Sequence, residues 1–474
     1  MNTTLQLDYP AILANAARPV HLALTFDAPE ITGARAQPVA FVAVIDRSGS
    51  MEGAPLAAAK RAVRGVVRNL RRGDFFGLVV FDTEAQVLVP LAAERDVAGL
   101  SRIIDGIQAG SSTNLAGGWC LGRDLLADAP AACPRKLLLL TDGQLNAGVT
   151  DSAMVAQMAG AALETHRIRT SCLGFGPSYN EDLLDAVAKA TGGALHDANQ
   201  PDQLPEVFRK ELDGLQSVVV QNLRLRARSC GFVERIAVLG DYVETEWPGG
   251  GKEVAVGDLV SGEQRVVVLA LEVLPIPPGA DGRAVANWDG EDLLALEIRC
   301  DVITAGALVS RTERHRVKVR PVQSPDDVRV NEDVLPWVTL QSAAAVVERA
   351  IRLRDEGRRD EAARLLKDEL ARLAKIPASD LVADARRLLE TARQTVEEED
   401  VQIYSSSRKS LRSMKRFYSM ASSRDDTVME NSAQPSFKTR RPKPSAPPPA
   451  TGTLSPPPPE APSASGTSNP PQHP

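Results

Sequence analysis

Four short runs, VAFVAVI (Val39–Ile45), FFGLVVF (Phe75–Phe81), KLLLL (Lys136–Leu140) and TSCLGFG (Thr170–Gly176), are apolar at successive positions rather than at alternate ones. Side chains of a strand point to opposite faces in turn, so a run without alternation needs apolar cover on both sides. Helix-length amphipathic stretches supply that cover. One is PLAAAKRAVRGVVRNLRR, Pro55–Arg72, with a proline at a first helical position. Strands that alternate with helices build a mainly parallel sheet packed on both faces. Residues 38–216 are therefore expected to form an α/β, doubly wound domain.

Beyond it the period changes to two. NLRLRAR, RVVVLALEV and RHRVKVR, separated by turn-like PGGGK and PPGADG, predict an antiparallel β-sandwich over 217–325. RPVHLALTFDAP, Arg18–Pro29, has the same alternation, so the N-terminal segment 1–37 is a candidate to add a strand to that later sheet. From 335 to 400 the pattern is helical. SAAAVVERAIRLRDEG closes on Gly357, RDEAARLLKDELARLAK stops before Pro377, and a third helix starts from a Ser379 cap. The first two resemble one tetratricopeptide-like unit, but a single unit has no stacking neighbour, so a small helical subdomain is expected. Residues 401–431 read as a basic amphipathic linker and 432–474 as a disordered Pro-rich tail, because so little apolar surface cannot offset ordering entropy.

Composition narrows the functions. A net charge of −6 over 474 residues gives no global pull toward nucleic acid. No run of about 18 apolar residues and no basic-then-apolar leader is seen, so a cytoplasmic location is the default. Cys120, Cys133, Cys172, Cys230 and Cys300 are odd in number and widely spaced, which favours buried free thiols over disulfides or a zinc cluster.

The first apolar run ends in oxygen. Asp46, Ser48 and Ser50, in FVAVIDRSGSM, aim alternate side chains beyond a strand's carboxyl end, where open α/β sheets bind ligands. Alone, D-x-S-x-S could equally be a turn with Asx hydrogen bonds. Thr113 in GSSTNLAGG and Asp142 after LLLLT bring two further oxygens to the same end of the sheet. Two carboxylates and three hydroxyls suit a small hard cation, Mg²⁺ or Mn²⁺, without excess negative charge, so that an incoming carboxylate is accepted.

These motifs, DRSGS (46–50), STNL (112–115) and TDGQLN (141–146), resemble those of von Willebrand factor A domains with a metal-ion-dependent adhesion site. The resemblance covers about 39–216. It implies that Ser48, Ser50 and Thr113 are direct ligands, that Asp46 and Asp142 ligate directly or through water, and that a partner's Glu or Asp completes the shell. It also implies that ligation can move the domain's final helix, here PDQLPEVFRKELDGLQ (Pro201–Gln216). More broadly the chain resembles bacterial multidomain members in which the A domain precedes a β-sandwich and a short helical region, an arrangement broadly similar to that of the inter-alpha-trypsin inhibitor heavy chains, with GDLVSGEQRVVVLALEV (257–273) as the familiar stretch.

Enzymatic readings fare worse. A haloacid-dehalogenase phosphohydrolase needs a second carboxylate where Ser48 stands. His21, His166, His196, His315 and His473 form no cluster, and no P-loop is present. The expected role is a metal-dependent protein-binding module, a scaffold or adaptor. The alternative is an accessory subunit of an AAA+ ATPase machine, and neighbouring ATPase genes, as against kinase, phosphatase or phosphopeptide-binding genes, would separate the two. Between Tyr404 and Arg424 six cations and no acid accompany Leu411, Met414, Tyr418 and Ala421 on one helical face. That stretch is either a solvated linker or a dock for an acidic protein, nucleic acid or anionic membrane. RPKPSAP, Arg441–Pro447, fits a generic proline-rich ligand.

Overall fold

The structure, a computed structural model, describes residues 1–419 apart from 31–36, 144–148, 150, 177, 241, 249, 278–289 and 305–306. The proline-rich tail, its RPKPSAP segment and Ala421 lie outside the described residues, as does the end of the TDGQLN motif.

Three strands open the chain: β1 (Asn2–Leu7), β2 (Ala11–Leu13) and β3 (Arg18–Asp27). The α/β unit follows as β4 (Ala40–Asp46), α1 (Ala54–Asn69), β5 (Phe75–Phe81), β6 (Ala85–Ala92), α2 (Val97–Asp105) and α3 (Leu115–Ala127). It continues with β7 (Arg135–Thr141), α4 (Ser152–His166), β8 (Ile168–Phe175), α5 (Glu181–Thr191), β9 (Leu195–Ala198) and α6 (Leu204–Gln216). The sheet order is β6-β5-β4-β7-β8-β9, with only the β5–β6 pair antiparallel. Every residue of β4 is buried, and the pleat explains why. Phe41, Ala43 and Ile45 enter the core beneath α1, α2 and α6, whereas Ala40, Val42 and Val44 enter the core beneath α3, α4 and α5.

A sandwich of β10 (Val218–Ser229), β11 (Val233–Leu239), β12 (Val243–Trp247), β13 (Gly251–Val260), β14 (Gln264–Val273), β15 (Glu291–Thr304) and β16 (Ala307–Val322) comes next. Its sheets run β1-β3-β14-β11 and β12-β13-β10-β15-β16-β2. β3 pairs along its whole length with β14, from Asp27 opposite Gln264 to Arg18 opposite Val273. The sandwich is thus closed by strands that precede the α/β unit. Polar contacts tie the two together. Arg169 of β8 donates Nε and Nη2 to the two oxygens of Asp258 at 2.7 and 2.9 Å. Arg167–Asp301 (3.0 Å) and Arg224–Glu164 (2.7 Å) cross the same boundary.

The helical part comprises α7 (Leu335–Asp355), α8 (Arg359–Leu373), α9 (Asp380–Glu397) and α10 (Val401–Ser419). Gly357 makes the turn after α7 at φ +80°, a left-handed conformation that costs glycine little. Val334 and Val338 pack on Ala23, Val266 and Val268, and Gln341 donates to the Val266 carbonyl at 2.9 Å, so α7 covers the outer face of the smaller sheet.

The linker reading of 401–431 is corrected over its described part. α10 is a packed helix whose Leu411, Met414 and Tyr418 share the core of α7, α8 and α9. Its cations meet acids of this same chain. Arg412 pairs with Asp182 and, at 3.3 Å, with Glu181; Arg408 reaches Asp355 at 2.9 Å and Lys415 reaches Glu348 at 2.6 Å. Along the outer edge of β9, Arg416 donates to the Gly193 carbonyl (2.8 Å), Ser413 to the Leu195 carbonyl (3.3 Å) and Ser410 to Asp197 (3.3 Å). An unpaired strand edge is a template for foreign strands, and here a helix occupies it. Of the cysteines, Cys133, Cys172 and Cys300 are buried, Cys120 and Cys230 are half-buried, and all five are free.

Candidate metal centre

The carboxyl ends of β4 and β7 lie side by side, and the loops that leave them carry the oxygens. After Asp46 the chain turns through Ser48 into a single 3-10 turn, Gly49–Met51, before α1. That turn is folded around Asp46, whose Oδ1 accepts the Ser48 backbone N–H at 2.7 Å. Ser48 Oγ lies 3.2 Å from Ser50 Oγ, and Ser50 donates to Asp142 Oδ1 at 2.7 Å. Four of the five predicted residues thus form one connected set across two strand ends.

Thr113 comes from a third loop, just before the Asn114 cap of α3. A Cβ at Gly143 would sit 3.2 Å from Thr113 Oγ1, so this hydroxyl faces the residue next to Asp142. Backbone bonds hold that loop against the first: Gly110 N–H donates to the Arg47 carbonyl (2.6 Å), Gly49 N–H to that of Ser111 (3.0 Å) and Asn114 N–H to that of Asp82 (2.7 Å). Gly110 must be glycine, because a Cβ there would lie 1.9 Å from an Asp82 carboxylate oxygen. Asp46, Ser48, Thr113 and Asp142 are buried, whereas Ser50 is exposed, so the set opens on one side.

Three supporting residues were given no role by the motif reading, although Thr141 and Gly110 lie within the quoted motifs. Thr141 donates to Asp46 Oδ2 at 2.5 Å and fixes the carboxylate's orientation. Asp82 pairs with the Arg47 guanidinium at 3.1 Å, engaging the cation that stands between Asp46 and Ser48 in the chain. Gly110 allows the close approach just described. Thr141 had a signal, since it directly precedes Asp142, but its partner is 95 positions away.

Burial drives the electrostatics. It pushes the Asp46 carboxyl up to about 6, against the hydrogen bonds from Ser48 and Thr141, and the charged neighbour that acts on it is another acid, Asp142. Burial also raises Asp142, opposed by the Ser50 hydroxyl. Two carboxyls held in a half-dry pocket with no ion pair among the described residues favour a bound cation. All donors are hard oxygens, which fits Mg²⁺ or Mn²⁺ rather than a thiolate- or imidazole-seeking metal. Among the described residues no cluster of three or more His, Cys, Asp or Glu offers a different metal site.

The sequence model of the von Willebrand factor type A domain matches residues 41–144, which run from β4 past Asp142. The chain carries a von Willebrand factor type A domain. Relatives of this domain-bearing chain include the sll0103 protein of Synechocystis, 26% identical over 253 residues, 52% of this chain and 60% of that protein. The E3 ubiquitin-protein ligase WAV3 of Arabidopsis thaliana is 32% identical over 247 residues, 50% of this chain and 31% of the ligase. Inter-alpha-trypsin inhibitor heavy chain H1 of Homo sapiens is 29% identical over 174 residues, 34% of this chain and 19% of the heavy chain. The chain spans less than two thirds of each of these relatives. A solved von Willebrand factor type A protein from Catenulispora acidiphila superposes with a TM-score of 0.66 at 18% identity, covering 88% of this chain and 96% of that one. At that identity the likeness is one of fold. It extends the match past the A domain into the sandwich and helices.

Proposed function

We propose that the chain is a divalent-metal-dependent protein-binding module, a scaffold or adaptor without catalytic turnover of its own. Mg²⁺ or Mn²⁺ is held by Asp46, Ser48, Ser50, Thr113 and Asp142, and a glutamate or aspartate of a partner protein completes the shell. The observation that carries this reading is the connected oxygen set, Asp46 to Ser48 to Ser50 to Asp142, open on the side of Ser50. Two carboxylates neutralise a divalent ion without overcompensating it, and Mg²⁺ keeps exchangeable waters that an external carboxylate can replace. Among the described residues no helix is long and apolar enough to cross a membrane. Domains of this type are often interaction modules, which agrees with a site built to accept rather than to transform a ligand.

The test is calorimetry on the full chain with Mg²⁺ and Mn²⁺, followed by affinity capture with and without chelator. One saturable site, lost in Asp142→Ala, together with partners that dissociate on chelation, is the expected result. Metal binding that survives Asp142→Ala, or a hydrolytic activity that disappears with it, would replace the proposal.

A further inference from the structure

The groove between α1 and α2 is lined by none of the five metal-site residues. From Gly53 to Gly73 the chain carries Lys60, Arg61, Arg64, Arg68, Arg71 and Arg72 and no acid, within a protein of net charge −6. α1 buries Leu56, Ala59, Val63, Val66 and Val67, which leaves Arg61, Arg64 and Arg68 on successive turns of its outer side. With Gly65, Ser101 and Asp105 these three line a groove of about 440 Å³. Its centre already holds one carboxylate. Arg64 pairs with Asp105, and Lys60 donates to the Asp105 carbonyl at 3.0 Å. Arg61 and Arg68, one turn to either side, have no ion pair among the described residues. Gly65 adds an independent sign. Glycine inside a helix costs about 1 kcal/mol relative to alanine, yet a Cβ at Gly65 would meet nothing within 4 Å, so no packing inside the chain requires it.

We propose that this groove docks an extended acidic segment of a partner protein, with carboxylates on Arg61 and Arg68 either side of Asp105 and the peptide backbone over Gly65. Seven helical residues separate the two guanidinium positions by about 10 Å, which a segment in polyproline II conformation spans in three residues of about 3.1 Å each, one full turn that returns side chains to the same face. The preferred spacing is therefore acid-x-x-acid. Asp105 in mid-groove disfavours a continuous polyphosphate backbone, and the bare Gly65 floor favours a peptide over a flat lipid surface.

The experiment uses the full chain with chelator present, so that the metal site is silent. Its probe is a labelled nine-residue peptide with glutamate at its third and sixth positions, against the same composition with adjacent glutamates. Fluorescence anisotropy should show binding that weakens with salt, is stronger for the spaced peptide, and falls about tenfold or more in Arg61→Glu/Arg68→Glu. Both arginines are exposed, so the variant should melt with the parent; if it does not, Arg61→Gln/Arg68→Gln repeats the test. Binding indifferent to both variants overturns the proposal. So does Arg61- and Arg68-dependent binding to phosphatidylserine vesicles or duplex DNA without peptide binding. Peptide binding that appears only with Mg²⁺ belongs to the metal site and also overturns it, while the metal-dependent reading stands.

Discussion

Glu211, on α6, is a residue whose removal should be strongly felt. It is buried and takes the His196 ring nitrogen at 2.6 Å, the Lys136 ammonium at 2.7 Å and the Ser171 hydroxyl at 3.0 Å, joining α6 to β7, β8 and β9 in one contact. Burial alone would raise its carboxyl, but Lys136 and His196 more than reverse this, and Glu211 titrates far below the carboxylate range. Glu211→Gln keeps the shape and removes the charge, leaving the Lys136 ammonium, 15% exposed, without its counter-ion. Breaking a buried pair from one side costs about 3–5 kcal/mol. The glutamine oxygen still accepts from Lys136, which favours the low end, about 3 kcal/mol. For a unit of this size that lowers Tm by about 6–12 °C. Calorimetry in chelator measures it. In Lys136→Met/Glu211→Leu no charge is left stranded, so the double variant should recover about 1.5 kcal/mol or more relative to the sum of its two single changes. The pH dependence has a fixed sign. Glu211 has a depressed folded pKa, so its contribution is present above its ordinary value of 4.5 and is lost as pH falls below it, more steeply in the parent than in Glu211→Gln. A loss below about 1 kcal/mol with additive single changes would refute the view that this contact pins α6.

Asp46→Asn should raise the stability of the metal-free protein by about 1–2 kcal/mol at pH 7, because the folded pKa near 6 means that stability is lost as pH climbs from about 4 through 6. The same variant should lose the melting increase on adding Mg²⁺, and paired thermal scans read both. Thr141→Val removes the hydroxyl that orients Asp46 and should weaken metal binding by about ten- to a hundredfold in calorimetry, with all five proposed ligands intact. Arg169→Ala strands the buried end of Asp258 and should cost about 3 kcal/mol in chemical denaturation, separating the unfolding of the A domain from that of the sandwich.

What could be read in the sequence was whatever sequence-local pattern dictates. β4, β5, β7 and β8 were legible because burial on both faces forces a continuous apolar run, and the five candidate site oxygens could be named because all lie within a few residues of a strand end or helix start. Contacts made across the fold were not. The alternation of Arg18–Asp27 declares a strand, but nothing local names β14, some 240 positions on, as its partner. The cations of α10 look solvated in sequence because their acids, Glu181 and Asp182, lie about 230 positions earlier. Glu211 is one more acid on an amphipathic helix until β7 and β9 bring Lys136 and His196 beneath it.

The helix that covers β9 also has a place in time. A ribosome completes the A domain's last strand at Ala198 and reaches α10 only at Val401–Ser419, about two hundred residues and some 10–40 s later. Throughout that interval the nascent sheet has an open border. A chain cut short anywhere before α10, by a stop codon or a protease, keeps that border for life. α10 therefore reports that synthesis has passed Ser419, and copies truncated before it should be the ones that chaperones retain.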